Sequence, residues 1–431
     1  MSAASKLKRL QKDSEIVVYE KGKHLSYAAC GLPYFVAAQE IEEEDLIQRK
    51  KEDFEATGIK PIPLHEVLKV MPTEKKVLVK NLVTEEEFED TYDKLLIATG
   101  ARPIVPKLTG FKLKGVLTLN SVEDGVLLKN KLSQANCRDI TIIGGGYIGI
   151  ELAEVLAATD KKIRIIQRPD RILRNFDPEI AIFAHRELVK LGVDIKTNEQ
   201  AKAILGANQV EKIVTDKGSY ATDLVIVAIG VEPATDFIKG SGISFANNGA
   251  IIIDREMRTN MPDIYAAGDC AEVYNLVKEE NSYIPLATSA NKCGRIAGSN
   301  LAGYHIKFVG TMGSAALKVG EMELARTGLS ENEIKQLKLD YKSAKVETSD
   351  LPHYYPDASL ICLKIFYENG TNRILGAQGA GRQGVVLRID VFASAIANKM
   401  STYELGMLDL CYSPPFSTVW DAIHIVANAA K

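Results

Sequence analysis

Asp139-Ile140-Thr141-Ile142-Ile143-Gly144-Gly145-Gly146-Tyr147-Ile148-Gly149 decides the fold. The first five residues read as a buried strand, and the turn after them is a G-x-G-x-x-G. A helix is expected over 150–159 and a second strand over 162–166. Gly144 permits the tight turn, Gly146 lets the backbone approach a pyrophosphate, and Gly149 lets helix and strand pack closely. The pyrophosphate would rest on the helix N-terminus. In an NAD site the second strand ends in a carboxylate that binds the ribose hydroxyls. This chain has Gln167 followed by Arg168. A lost carboxylate and a gained guanidinium suit the extra phosphate of NADP. NADPH is therefore the expected nucleotide. NADH is the alternative if Arg168 is only a solvated surface charge.

Around this unit, 431 residues leave room for two or three domains. A net charge of −3 gives no footprint for nucleic acid or a membrane surface. No apolar run approaches the ~18 residues of a membrane span, and no signal peptide opens the chain. Six scattered cysteines lack any Cys-x-x-Cys pair or metal spacing, which fits a reducing cytoplasm. Cys30 stands apart. It precedes Gly31-Leu32-Pro33, and Pro favours the first turn of a helix. The expectation is a thiol at a helix N-terminus, where the dipole favours a thiolate. The competing reading is a buried structural cysteine.

Further motifs occur in order along the chain. Ile16-Val17-Val18-Tyr19 reads as a strand ending in Glu20. Leu95-Leu96-Ile97-Ala98-Thr99-Gly100-Ala101-Arg102-Pro103 follows, then the glycine motif, then Ile264-Tyr265-Ala266-Ala267-Gly268-Asp269. This set resembles the FAD- and NAD(P)-dependent disulfide reductase superfamily over nearly the whole chain. The resemblance implies an α/β fold, with two Rossmann-like dinucleotide-binding domains and a C-terminal α+β dimerisation domain. It places an FAD-binding domain at 1–110 and 244–308, an NAD(P)-binding domain at 111–243 and the dimerisation domain at 309–431. It assigns the flavin's adenosine ribose to Glu20 and its ribityl–phosphate part to Asp269. Further cofactor contacts fall to Lys21, Val67, Thr99, Gly100 and Gly230. The family opens with an apolar strand and a glycine motif of its own, whereas Met1-Ser2-Ala3-Ala4-Ser5-Lys6 is similar to the helix just after those glycines. A doubly wound sheet keeps its first strand central. The expectation is that such a segment is encoded in frame upstream of Met1, with a flavin-free paralogue as the alternative.

Cys30-Gly31-Leu32-Pro33-Tyr34 is similar to the single-cysteine branch of coenzyme A-disulfide reductases and their coenzyme A-dependent sulfur and persulfide reductase relatives. His353-Tyr354-Tyr355-Pro356 and Cys411-Tyr412-Ser413-Pro414-Pro415-Phe416-Ser417 are similar to the family's dimerisation domain. The resemblance implies Cys30 as the redox thiol. It implies Tyr354 and Tyr412 as phenols near the leaving thiolate, where a proton or hydrogen bond is useful; packing at a subunit interface is their other reading. It assigns coenzyme A to Ser2, Lys6, Arg9, Ser26 and Asn291. Lysine serves there as a phosphate-binding point charge. A solvated helix face is the alternative for Lys6 and Arg9. The resulting expectation is a cytoplasmic homodimer that passes electrons from NADPH through FAD and Cys30 to coenzyme A disulfide. The alternatives are a coenzyme A-dependent polysulfide or persulfide reductase, an NADH oxidase working through a sulfenic acid at Cys30, and a flavin-free relic.

Overall fold

A computed structural model of the chain describes every residue except Gln39. The chain forms two compact units. One comprises Met1–Ile104, Leu119–Lys129 and Gly230–Thr311; the other comprises Val105–Thr118, Asn130–Ile229 and Met312–Lys431.

Along the chain the first unit opens with α1 (Ser2–Leu10), β1 (Val17–Glu20), α2 (Leu32–Ala37), β2 (Lys60–Pro63) and β3 (Leu95–Ile97). The second unit follows with β4 (Val116–Leu117), β5 (Asp139–Ile143), α3 (Tyr147–Ala157), β6 (Lys162–Gln167), α4 (Pro178–Lys190), β7 (Asp194–Thr197) and β8 (Leu224–Val227). β9 (Ile264–Ala266) and α5 (Ala287–Leu301) return to the first unit. β10 (Ala315–Val319), β11 (Met322–Gly328), α6 (Glu331–Gln336), β12 (Tyr341–Ser349), β13 (Leu360–Glu368), β14 (Ile374–Gly381) and α7 (Val385–Ala397) also belong to the second.

In the second unit a parallel sheet runs in the order β7-β6-β5-β8-β4, with Ile163 opposite Ile140 and Val225 opposite Thr141. β5 is central and buried on both faces, which is why its residues read as an almost continuous apolar run. α3 begins at Tyr147, three residues earlier than the spacing predicts, because Gly146 is its N-cap and Gly149 already lies inside the helix. It buries Gly149, Leu152, Ala153 and Leu156, the stripe of an amphipathic helix. The C-terminal sheet is antiparallel throughout, in the order β10-β11-β14-β13-β12. α7 covers it through Val385, Ile389, Phe392 and Ile396.

The first unit holds two parallel ladders, β1 with β2 and β3 with β9. Val17 lies opposite Lys60, and Ile264 opposite Leu95. A three-stranded antiparallel sheet of His65–Met71, Lys76–Asn81 and Glu87–Thr91 stands beside them. The core gathers around β9 with Ile251, Ile253, Cys270, Cys293 and Ala297, and Ala3 of α1 joins it. α1 lies directly on α5, since a Cβ at Gly298 would stand 2.4 Å from the Ala3 carbonyl oxygen.

Candidate active site

Each glycine of the nucleotide loop has its own reason to lack a side chain. Gly144 has φ 110°, and a Cβ there would lie 2.3 Å from the Ala228 carbonyl oxygen. A Cβ at Gly149 would lie 2.1 Å from the carbonyl oxygen of Gly144. A Cβ at Gly146 would meet nothing within 4 Å, so the helix N-terminus opens there onto free space. This cradle fits a pyrophosphate. Gln167 is buried and turned inward: its Oε1 accepts from the Gly145 N–H at 2.9 Å, and its Nε2 donates to the Arg171 carbonyl at 3.1 Å. It braces the glycine loop. Arg168 is exposed, and so is Arg174 farther along the same loop. The glycine motif does not mark Arg174; its signal is a third arginine, after Arg168 and Arg171, before the Asp177-Pro178 start of α4.

In the first unit Glu20 ends β1, and its Oε1 accepts from the Gly22 N–H at 2.7 Å. Lys21 pairs with Glu66 at 3.4 Å, and Val67 lies in the strand His65–Met71 where the register shifts. Thr99 Oγ1 donates to the Ala234 carbonyl at 2.8 Å, while the carbonyl of Gly100 accepts from the Ala234 N–H at 3.0 Å. Gly100 has φ 68°, and a Cβ there would meet nothing within 4 Å. Gly230, at φ 118°, accepts from the Ile104 N–H at 3.0 Å. Asp269 follows Gly268 (φ 86°) at the end of β9. Burial pushes its carboxyl up, and that carboxyl makes no hydrogen bond among the described residues. A partly buried carboxyl without a protein partner fits the polar chain of a flavin.

Cys30 is exposed and sits in a 3₁₀ turn, Ala29–Gly31, immediately before α2. This differs slightly from the expected placement at the helix start itself. Gly31 is the N-cap of α2, and its N–H closes the 3₁₀ turn on the Ala28 carbonyl at 2.9 Å. Leu32, Pro33, Phe35 and Val36 are buried and anchor the helix behind the sulfur. The chain leading to Cys30 is pinned from the side: Ala28 N–H donates to Leu46 O at 2.8 Å, and Gln48 N–H to Ser26 O at 2.9 Å.

α1 and α5 bring two of the expected substrate residues together, with Asn291 Nδ2 donating to Ser2 Oγ at 3.0 Å. Lys6 is half-buried, and the exposed Arg9 donates through Nε to the Ser5 carbonyl at 3.1 Å. Arg49 joins this group, although no local motif in the sequence marks it. Its Nη1 donates to Ser5 Oγ at 3.1 Å, and its guanidinium lies 3.9 Å from the Phe54 ring centre. Only the tertiary pairing of the 46–48 stretch with the Cys30 segment brings it there. In the other unit Tyr354 and Tyr412 meet through their hydroxyls. Desolvation and Tyr412 push the Tyr354 phenol up, and its ring stands edge-on to His353 at 5.8 Å. Both tyrosines are exposed, at 66% and 48%. No described helix is long and apolar enough to cross a membrane.

Family models match in two segments: pyridine nucleotide-disulphide oxidoreductase over residues 1–294, and the dimerisation domain of the same family over residues 314–423. An NAD(P)H sulfur oxidoreductase (CoA-dependent) of Pyrococcus abyssi is 36% identical, aligned over all of this chain and 96% of its own. A coenzyme A disulfide reductase of Staphylococcus aureus is 30% identical, over 100% of this chain and 97% of its own. The reduced Bacillus anthracis CoADR-RHD crystal structure superposes with a TM-score of 0.96 at 32% identity, covering 100% of this chain and 77% of that one. An engineered water-forming NADPH oxidase, bound to NADPH, has a TM-score of 0.96 at 31% identity, covering 100% of this chain and 95% of that one.

Proposed function

The chain belongs to the pyridine nucleotide-disulphide oxidoreductase family, and we propose that it uses NADPH to reduce coenzyme A disulfide through Cys30. The family's cofactors, FAD and NAD(P)H, supply hydride chemistry; the protein supplies binding and orientation. The observation that carries the reading is Cys30 itself, an exposed sulfur on a rigidly backed turn in the same unit as the Ser2, Lys6, Arg9, Asn291 and Arg49 group.

The chain's own residues divide the work. Cys30 thiolate attacks one sulfur of coenzyme A disulfide, forming a Cys30–coenzyme A mixed disulfide and releasing one coenzyme A thiolate. An electron pair from NADPH then breaks that bond, restoring the Cys30 thiolate and freeing the second coenzyme A. Lys6, Arg9 and Arg49 offer charge to the substrate's phosphates. Tyr354 and Tyr412 offer a phenolic proton to the departing thiolate. Glu20, Lys21, Val67, Thr99, Gly100, Gly230 and Asp269 hold FAD. Gly144, Gly146, Gly149 and Arg168 hold the nicotinamide nucleotide, and Gln167 braces their loop from within. The preference for NADPH rests on Arg168. It finds support in the NADPH-bound neighbour, whose engineered exchanges include aspartate to alanine followed directly by alanine to arginine. Residues 309–431 join two copies of the chain, and a reducing cytoplasm keeps the thiol competent.

A second reading keeps the site and changes the acceptor to polysulfide or a persulfide; the coenzyme A-dependent Pyrococcus relative favours it. The test is turnover with NADPH against coenzyme A disulfide, polysulfide, glutathione disulfide and oxygen. Coenzyme A disulfide is expected to give the highest kcat/KM. Cys30→Ser is expected to abolish disulfide reduction while NADPH still bleaches the flavin. Intact-protein mass spectrometry is expected to show a coenzyme A adduct on Cys30 that dithiothreitol removes. Parent-rate disulfide reduction by Cys30→Ser sinks the reading, and absence of a flavin spectrum from the protein returns the relic.

A further inference from the structure

The loop between β6 and α4, residues 168–177, carries Arg168 and Arg174 to the surface. Its inner side is held twice over. Within the nucleotide unit, Leu173 N–H donates to the Gly145 carbonyl at 2.7 Å, and Ile172, Leu173 and Phe176 are fully buried. The second hold comes from the C-terminal sheet. Gln378 of β14 accepts the Asp177 N–H on its Oε1 at 2.8 Å, both groups being buried. Arg326 of β11 donates from Nη1 to the Asn175 carbonyl, and its other terminal nitrogen binds the Gly328 carbonyl and Glu333, each at 2.8 Å. Lys364 of β13 is buried, with Asp177 at 3.2 Å, Glu179 at 3.0 Å and Glu331 at 3.2 Å around its ammonium.

Asp177 makes the pattern plain. It is the N-cap residue of α4, followed by Pro178, and an aspartate there ordinarily accepts from its own helix. Here it makes no such cap. Its carboxylate turns to Lys364 and to the Glu331 N–H at 3.3 Å. A local cap has been exchanged for two long-range contacts of the carboxylate, and together with the bond from the Asp177 N–H to Gln378 their effect is to fix the loop that bears the two outward arginines.

We propose that Arg326, Lys364 and Gln378 are positioning residues for nucleotide recognition: the C-terminal sheet clamps the 168–177 loop in the shape in which it receives the 2′-phosphate of NADPH. The proposal rests on Arg168 contacting that phosphate. Binding of 2′,5′-ADP and of 5′-AMP to the full chain, measured by calorimetry, separates phosphate recognition from catalysis. Gln378→Met removes the acceptor without adding charge. Arg326→Lys keeps the charge but loses the fork, and is the milder second variant should Gln378→Met not fold.

Each variant is expected to weaken 2′,5′-ADP about tenfold and to leave 5′-AMP within about threefold, the scale of one misplaced charged hydrogen bond. KM for NADPH should rise while kcat holds. A folded variant of either kind that keeps the parent's ratio of the two affinities overturns the clamp. Arg168→Ala is the companion measurement. If it too leaves 2′,5′-ADP binding unchanged, the NADPH reading fails and takes the clamp with it. If it weakens 2′,5′-ADP while the clamp variants do not, only the clamp is lost.

Discussion

Glu151, in the second turn of α3, is pushed up to about 7 by burial and by Glu154 three residues on. Its ordinary value is 4.5. The folded protein therefore favours the protonated acid. That contribution is complete below the unfolded value and is lost as pH rises through the folded one. Thermal midpoints of the parent should fall between about pH 5 and about pH 8 more steeply than those of Glu151→Gln, and the two should coincide at the acidic end. Parallel curves would show that the Glu151 carboxyl is not held in this way. At this scale the roles of Gly144 and Gly149 are legible in the glycine spacing alone, because a positive φ or a backbone contact leaves no room for a side chain. The inward turn of Gln167 is not, since its partners are the Gly145 N–H and the Arg171 carbonyl, positions that only the folded loop brings within reach.

Among the elements, the α1–α5 contact is the one on which the proposed substrate group depends. Gly294 and Gly298 let α5 approach α1 closely, and Asn291 reaches Ser2 across the same seam. Gly298→Ala would drive a Cβ to 2.4 Å from the Ala3 carbonyl oxygen. Overpacking of this kind costs about 1–3 kcal/mol. The variant should unfold at lower denaturant than the parent and show a higher KM for coenzyme A disulfide, with KM for NADPH unchanged. An unchanged unfolding midpoint would mean that α1 rides freely on α5. The strands and helix around the glycine motif are readable from local periodicity to within three residues. The partner face of α1 is not, because Ser2 and Asn291 are far apart in the chain and only the packing of the unit joins them.

For the whole molecule, residues 312–431 expose an unusual set of large apolar side chains. Phe416, Leu387 and Tyr403 are each more than 70% exposed, and Val419 and Met407 more than 60%. Isolated exposed apolar residues are ordinary, but so many in a segment matched by a dimerisation domain point to a covered face. Sedimentation should give twice the chain mass for the parent, and Phe416→Asp with Val419→Asp should reduce it to the chain mass. A parent that sediments at the chain mass overturns the homodimer.

The amino-acid sequence alone determined the parallel sheet with its glycine loop, the family, and the lone cysteine from which the thiol chemistry is argued. Those properties depend on short-range patterns: a strand, a glycine turn, a helix, and a cysteine before Gly-Leu-Pro. Tertiary structure alone decided that Arg49 stands with Ser5, that Tyr354 meets Tyr412, and that Asp177 abandons its own helix for Lys364. Each of these joins side chains distant in sequence. Such contacts are selected by the packing of whole sheets and helices, which sets distances that no local periodicity encodes.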